Sequence, residues 1–444
     1  MRFKSAIIFS AIATLALSPA IAKKLPAAAQ QLHKPAGIRV AWPKTAPVAI
    51  DSGITMSLPQ PEREWTVMAF VNGKNDLAFQ AFTAVNAMES AAPGADVNIV
   101  LELGMVNDKE LRFKRLRSWR GIRRFFVTSD SDPRKITSIP LPGEPYGDMG
   151  SYRHLVRFCK WAKTNFPAKK YMLIMISHGD GMYYISPDNL TRNAIGLTEL
   201  GKALARIGGV DVFAADACLM QMAEVAYVLK DAVKVMVGSE AIMPYLGFDY
   251  TANINLLRAN PGMGAEEAGT VIVETFAKLY AGKAGKGGIG YNGKRTTLSA
   301  LRLSEMDNLA VSVKTWTEAV RNSPDSIRCL RVALRKARRF DEPEFLDLHH
   351  FGDLVMRNTS DPVLQSASAS LLTLLKDRLL VINKQRRFKQ ANGLSIYVPT
   401  GTTLRRGYRE SAFAQQSGWY LFLCWLKRNN LLREDMPNPA KWVE

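Results

Sequence analysis

Two apolar runs decide most of what this chain can become. The first, Tyr171-Met172-Leu173-Ile174-Met175-Ile176, leads into Ser177-His178-Gly179-Asp180-Gly181. The second, Val210-Asp211-Val212-Phe213-Ala214-Ala215, leads into Asp216-Ala217-Cys218-Leu219-Met220. Each is too short for a packed helix and is bounded by polar or glycine residues, which predicts a strand buried on both faces of a parallel sheet. Each delivers a reactive side chain at its carboxyl end, and open α/β sheets bind ligands in the crevice outside those ends. If the strands are neighbours, His178 and Cys218 meet there. A thiol needs a base or a positive field to act as a nucleophile near neutral pH. Met222 to Leu229 reads as a helix, which predicts Cys218 near a helix N-terminus that favours the thiolate. Gly179 and Gly181 leave bare backbone beside the histidine, so a substrate carbonyl can reach a main-chain N–H. Ser177 points to the opposite face of its strand and is set aside as a nucleophile. The residues alone point to a Cys/His hydrolase; the N–H groups of Gly179 and Cys218 are its expected oxyanion hole.

The chain around these runs alternates strand and helix patterns. Trp65 to Val71 reads as a first strand, Leu77 to Met88 as a helix and Val97 to Leu103 as a second strand. Arg112 to Val127 alternates like a β-hairpin. A helix over Ser151 to Asn165 precedes the histidine strand. Ser186 to Asn193 is polar throughout and reads as a loop. Leu197, Leu200, Leu204 and Ile207 mark a helix, so the two reactive strands flank a right-handed crossover. Val233 to Val237 is the next parallel strand, and Gly238-Ser239-Glu240 ends it at the same edge. Residues 63–260 form the core on this reading, and 261–444 a helix-rich extension that completes it. Helices are expected there over Glu266–Tyr280, Glu305–Val320, Ser326–Arg339, Pro362–Leu380 and Trp419–Arg428. Strands are expected over Thr296–Leu303 and Leu394–Val398, and a surface loop over Lys283–Lys294.

The first residues read as a secretory signal. Arg2 and Lys4 precede the apolar Ala6–Leu17, and Ala20-Ile21-Ala22 is a small-x-small cleavage site. Later stretches are too short to span a membrane. Export to the periplasm or medium is expected, with 23–62 as a flexible lead-in or pro-segment. The formal net charge of +19 favours anionic surfaces such as the cell envelope. The basic clusters are Arg112, Lys114, Arg115, Arg117, Arg120, Arg123 and Arg124, and Arg331, Arg335, Lys336, Arg338 and Arg339. They read as solvated faces, and nucleic acid is not an expected partner because no binding motif accompanies them. Cys159, Cys218, Cys329 and Cys424 lack Cys-x-x-Cys spacing, so no metal site is expected.

The block His178-Gly179-x-Gly181, then Asp216-Ala217-Cys218-Leu219-Met220 with Glu224-Val225-Ala226-Tyr227, resembles the clostripain family of cysteine peptidases. The resemblance continues through Gly238-Ser239-Glu240, Gly247-Phe248-Asp249-Tyr250, Phe345-Leu346-Asp347-Leu348 and Gly393-Leu394-Ser395-Ile396-Tyr397-Val398-Pro399. Upstream it includes Val71-Asn72-Gly73-Lys74-Asn75-Asp76-Leu77. It implies a three-layer α/β/α caspase-like fold with a mostly parallel central sheet. It also implies a cysteine endopeptidase in which His178 and Cys218 act on protein or peptide substrates.

The acidic residue matching Asp216 lines, in that family, a pocket for Arg or Lys before the cut bond. Ser239 and Glu240 are further candidates for that pocket. A carboxylate so close to the nucleophile does not help form a thiolate, and the alternative for Asp216 is a strand-end carboxylate held by backbone N–H groups. Family members are made as zymogens and cut themselves after the histidine strand, which makes Arg192, or Lys202, the candidate cleavage site. No cofactor is needed for thiol chemistry. Some relatives need calcium, which stays possible here, although Asp180, Asp188 and Asp249 are too scattered to establish a cage from sequence. Two alternatives stay open: the same dyad with non-basic specificity, and a non-catalytic envelope-binding protein on the same fold.

Overall fold

A computed structural model describes residues 56–91, 94–116, 119–281 and 295–432. The signal-like segment, most of the lead-in and the loop expected at 283–294 lie outside the described residues. In chain order the strands are β1 (Arg63–Gly73), β2 (Val97–Met105), β3 (Gly121–Phe126), β4 (Ile139–Leu141), β5 (Ala168–Ile176), β6 (Tyr184–Asp188), β7 (Asn193–Gly196), β8 (Val210–Asp216), β9 (Val233–Gly238), β10 (Thr296–Arg302), β11 (Phe345–Asp347), β12 (Leu380–Arg386) and β13 (Ser395–Tyr397). Nine of them form one sheet in the order β12-β10-β9-β8-β5-β1-β2-β3-β4. The five central strands, β9 to β2 in that order, are parallel. Two antiparallel strands close each flank.

Alternation along the central strands builds two separate cores. Leu173, Met175, Phe213 and Ala215 face one, and Met172, Ile174, Ile176, Val212 and Ala214 face the other. A strand with no polar face has to be covered on both sides. The helices Tyr152–Asn165, Leu197–Ile207 and Ala223–Leu229 cover the first face. The helices Ala78–Glu89, Tyr250–Ala259 and Ala265–Ala281 cover the second. The result is the three-layer α/β/α arrangement expected from the sequence.

From β1 the chain moves outward to β2 on one side, then returns through β5, β8 and β9 on the other. The sheet therefore reverses direction between β1 and β5, and the crevice at such a reversal is where ligands bind in open α/β sheets. The loops after β1, β5, β8 and β9 all open on that edge. The strands after residue 260 complete the same sheet, because β10 pairs with β9 and β12 with β10. Strand β13 does not join it; it pairs with β11 in a small separate sheet.

Two secondary-structure expectations fail, each for a local reason. Among the described residues no hairpin spans Arg112–Val127. The Asp108 carboxylate accepts from the N–H groups of Glu110 (2.8 Å) and Leu111 (3.1 Å), which caps a short helix, Lys109–Phe113. Only β3 remains as a strand, paired with β2 and β4. The loop expected at 186–193 is instead the hairpin β6–β7, whose buried apolar content is little more than Ile185 and Ile195. Its polar side chains are committed to partners, and too few apolar residues remain to show a period. The basic clusters are also not uniformly solvated. Arg124 is buried opposite Glu102 and donates to it through Nε (2.9 Å) and Nη2 (2.6 Å), and Arg339 is buried with Nη1 on the Pro343 and Val398 carbonyls.

Candidate functional site

The register between β5 and β8 pairs Ile176 with Asp216, so His178 and Cys218 each stand two residues beyond the same rung. Ser177 N–H still donates to the Asp216 carbonyl (3.3 Å), which carries the pairing one step further. Beyond it the backbones are in contact. A Cβ on Gly179 would lie 2.8 Å from the Cys218 carbonyl oxygen and 2.9 Å from the Ala217 Cβ, so this position tolerates only glycine without a shift. Leu219 follows the thiol at φ 66°, a left-handed conformation that a γ-branched residue adopts only under constraint. Its N–H is fixed on the Ala241 carbonyl (3.1 Å). Neither the Gly179 nor the Cys218 amide donates a hydrogen bond among the described residues.

The thiol is half-buried, and the N–H of Met243 points at its sulfur at 3.3 Å. Burial pushes the Cys218 thiol up to about 12, against the Met243 N–H, while Asp341, Asp216 and Asp180 push it the same way. The expected help from a helix dipole is corrected. The helix Ala223–Leu229 starts five residues later and is only seven residues long, and the donor that reaches the sulfur comes from the chain after β9. The half-exposed His178 has its Nε2 2.7 Å from Asp76 Oδ1. That hydrogen bond holds Asp76 below the usual carboxylate range. The sequence reading passed over Asp76, although it lies in the quoted segment after β1. Asp341, whose Oδ2 accepts from the Ile242 N–H at 2.9 Å, had no signal at all.

Asp216 is buried at the end of β8. Its Oδ2 accepts from the Phe248 N–H (3.1 Å) and from the Tyr250 hydroxyl, and Oδ1 has no hydrogen-bond partner among the described residues. Burial pushes its carboxyl up to about 6 against those two donors. Gly247, at φ 63°, passes so close to this carboxylate that a Cβ there would overlap Oδ2.

Ser239 and Glu240 are corrected as pocket residues. Ser239 is buried with its hydroxyl on the Ala241 N–H. Glu240 is fully buried behind the sheet edge, where Oε2 accepts from the Gly393 N–H (3.0 Å) and the Thr297 hydroxyl (3.2 Å) and the buried Oε1 makes no resolved hydrogen bond among the described residues. Burial, then the Asp347 carboxylate beside it, holds Glu240 well above the usual carboxylate range. Glu240 therefore stays protonated in the fold, whereas it ionises above about 4.3 when unfolded. Its contribution to stability is complete below that value and is lost as pH rises towards its folded pKa. Glu240→Gln cannot ionise, so its Tm relative to the unsubstituted protein should climb as pH rises above about 5; a constant difference in calorimetry would contradict the raised pKa.

Arg192 is exposed at φ 57° in the β6–β7 turn. Its neighbours Thr191 and Asn193 both donate to Asp148 (2.7 Å each). Lys202 is exposed on the helix Leu197–Ile207. The carboxylates weighed for calcium do not converge. Asp188 pairs with Lys74 at 2.7 Å and Asp249 caps the helix Tyr250–Ala259, and among the described residues no group of three or more His, Cys, Asp or Glu is placed to hold a metal. All four cysteines are unpaired.

Comparison with known proteins bears on the family and the fold. Clostripain from Hathewaya histolytica is 29% identical over 140 residues, which is 27% of this chain and 27% of that protein. A secreted C11 cysteine protease from Bacteroides thetaiotaomicron, solved with an irreversible peptide inhibitor, has a TM-score of 0.61 at 17% identity and covers 82% of this chain and 99% of its own. An inactive zymogen C11 protease from Parabacteroides distasonis has a TM-score of 0.57 at 18% identity and covers 83% and 98%. These two share its fold. The family model described as the clostripain family, Peptidase_C11, matches residues 86–372, well over half of the sequence. The chain therefore belongs to the clostripain family.

Proposed function

We propose that this protein is an exported cysteine endopeptidase that cuts after Arg or Lys, with Cys218 as nucleophile and His178 as its base. The observation that carries the reading is the rung Ile176–Asp216, which sets the imidazole and thiol strands side by side with Gly179 packed on the Cys218 carbonyl. His178 takes the Sγ proton, and the sulfur bonds to the substrate carbonyl carbon. The carbonyl oxygen becomes an oxyanion facing the uncommitted N–H groups of Gly179 and Cys218. Collapse breaks the C–N bond, and His178 returns the proton to the departing amine. Water, deprotonated by His178, then hydrolyses the thioester and restores the thiol.

Basic specificity rests on Asp216. Its Oδ2 is committed to Phe248 and Tyr250, while Oδ1 is left to accept from a guanidinium or ammonium group. Arg192 is an exposed residue that such a cleft would cut once its turn opened, because peptidases bind substrates extended. Fluorogenic peptides ending in Arg, Lys, Asp and Leu test the reading directly. Hydrolysis of the Arg and Lys peptides, stopped in step with alkylation of Cys218 by iodoacetamide, is the expected result. Equal turnover of all four would remove Asp216 from its role, and activity that survives complete alkylation would remove Cys218.

A further inference from the structure

We infer that Asp76 is a positioning residue for this reaction, and that the segment Asn72–Asp76 is built to present it to His178. The inference rests on the Cys218/His178 reading. An ionised carboxylate can only accept, so the 2.7 Å contact between Asp76 Oδ1 and His178 Nε2 assigns the ring proton to Nε2. In a neutral imidazole Nδ1 is then the nitrogen with a free lone pair, and it becomes the atom that takes the thiol proton. Once that proton has moved, the carboxylate faces an imidazolium and stabilises it. This matters here because Cys218 is crowded by Asp180, Asp216 and Asp341, which disfavour the thiolate.

The loop leaves little else for Asp76 to do. Asn72 Nδ2 donates to Ser186 Oγ (3.0 Å) and the Pro187 carbonyl (2.9 Å), and its Oδ1 accepts from the Lys74 N–H (2.9 Å). Lys74 Nζ lies 2.7 Å from Asp188 Oδ2 and donates to the Gly147 carbonyl (2.7 Å), with both charged side chains buried. Asn75 Nδ2 donates to Ser177 Oγ (3.2 Å) and the Pro187 carbonyl (2.9 Å), and its Oδ1 accepts from the Leu77 N–H (2.9 Å). Three successive side chains after Gly73 and before Leu77 thus fasten or complete one loop, and the last of them, Asp76, is 79% exposed with His178 as its partner. Among the described residues no lysine or arginine forms an ion pair with this carboxylate, and His178 does. The carboxylate points along the sheet reversal, from the end of β1 to the end of β5.

The test uses the full chain and the best peptide from the panel, with Asp76→Ala, Asp76→Asn and Cys218→Ala side by side. Both Asp76 variants should lower kcat by roughly 10- to 100-fold, leave KM within about twofold and leave Tm unchanged. In the absence of substrate, iodoacetamide should label Cys218 severalfold more slowly in both. Wild-type kcat and labelling rate in the Asp76 variants, with Cys218→Ala inactive, would overturn this role alone. A loss carried by KM rather than kcat would also overturn it. Hydrolysis by Cys218→Ala would overturn the underlying site reading instead.

Discussion

Cys218→Ala is expected to lower kcat/KM for peptide hydrolysis by roughly 10⁵-fold or more, with no loss of folded protein. The nucleophile has no substitute nearby, since Ser177 hydrogen-bonds inward to Asn75 and the Asn72 carbonyl. The packing cost is small, because the thiol is half-buried and its removal forfeits one contact from the Met243 N–H. His178→Ala should be nearly as damaging. Without a base to take its proton, a thiol that burial pushes so far up is almost wholly protonated at pH 7. Steady-state kinetics on both variants, with circular dichroism to confirm folding, checks the pair. Retention of more than a hundredth of the activity in His178→Ala would show that the thiolate forms by another route.

Asp216→Asn is expected to lower kcat/KM on Arg and Lys peptides by roughly 10²-fold, the scale of a lost charge-assisted hydrogen bond in a buried site, and to leave the Leu peptide unaffected. The substitution is close in shape, so Gly247 and the Phe248 N–H need not move. The same carboxylate predicts a pH effect in the unsubstituted protein. Asp216 is pushed up to about 6, so it is ionised above that value and attracts a cation there. The ratio of Arg to Leu turnover should hold above pH 7 and fall as pH drops through about 6. Taking the ratio cancels any pH effect that both substrates share. A flat ratio from pH 5 to pH 8 would mean that Asp216 only holds Tyr250 and Phe248 in place.

The parts of the fold that were legible in the sequence are those whose period is set by burial alone. Strands β5, β8 and β9 are nearly continuous apolar runs because both faces are covered, and the helix Leu197–Ile207 shows its stripe because one face packs on the sheet. The hairpin β6–β7 was hidden because Ser186 and Asp188 go inward to satisfy Asn72 and Lys74, so polar residues sit where a period would need apolar ones. Strand β12 was hidden differently. The leucines of the preceding helix continue through Leu374, Leu375 and Leu379 into Leu380, and an outermost strand buries too little to break that pattern. At the site, Cys218 and His178 were visible because strand ends announce them. Asp76 was not, since its meaning depends on a neighbour 102 residues away. Glu240 misled because its position in the chain is at the right edge, while its side chain turns back beneath Gly393.

A fragment ending at residue 260 would keep every reactive group named above and still not make a usable enzyme. It would leave the outer side of β9 with unpaired amides and carbonyls along Val235, Val237 and their neighbours, where β10 now lies. Exposed, apolar strand margins of that kind recruit other chains. The strands after residue 260 thus cover the margin of β9, and truncation should yield aggregates rather than a minimal protease.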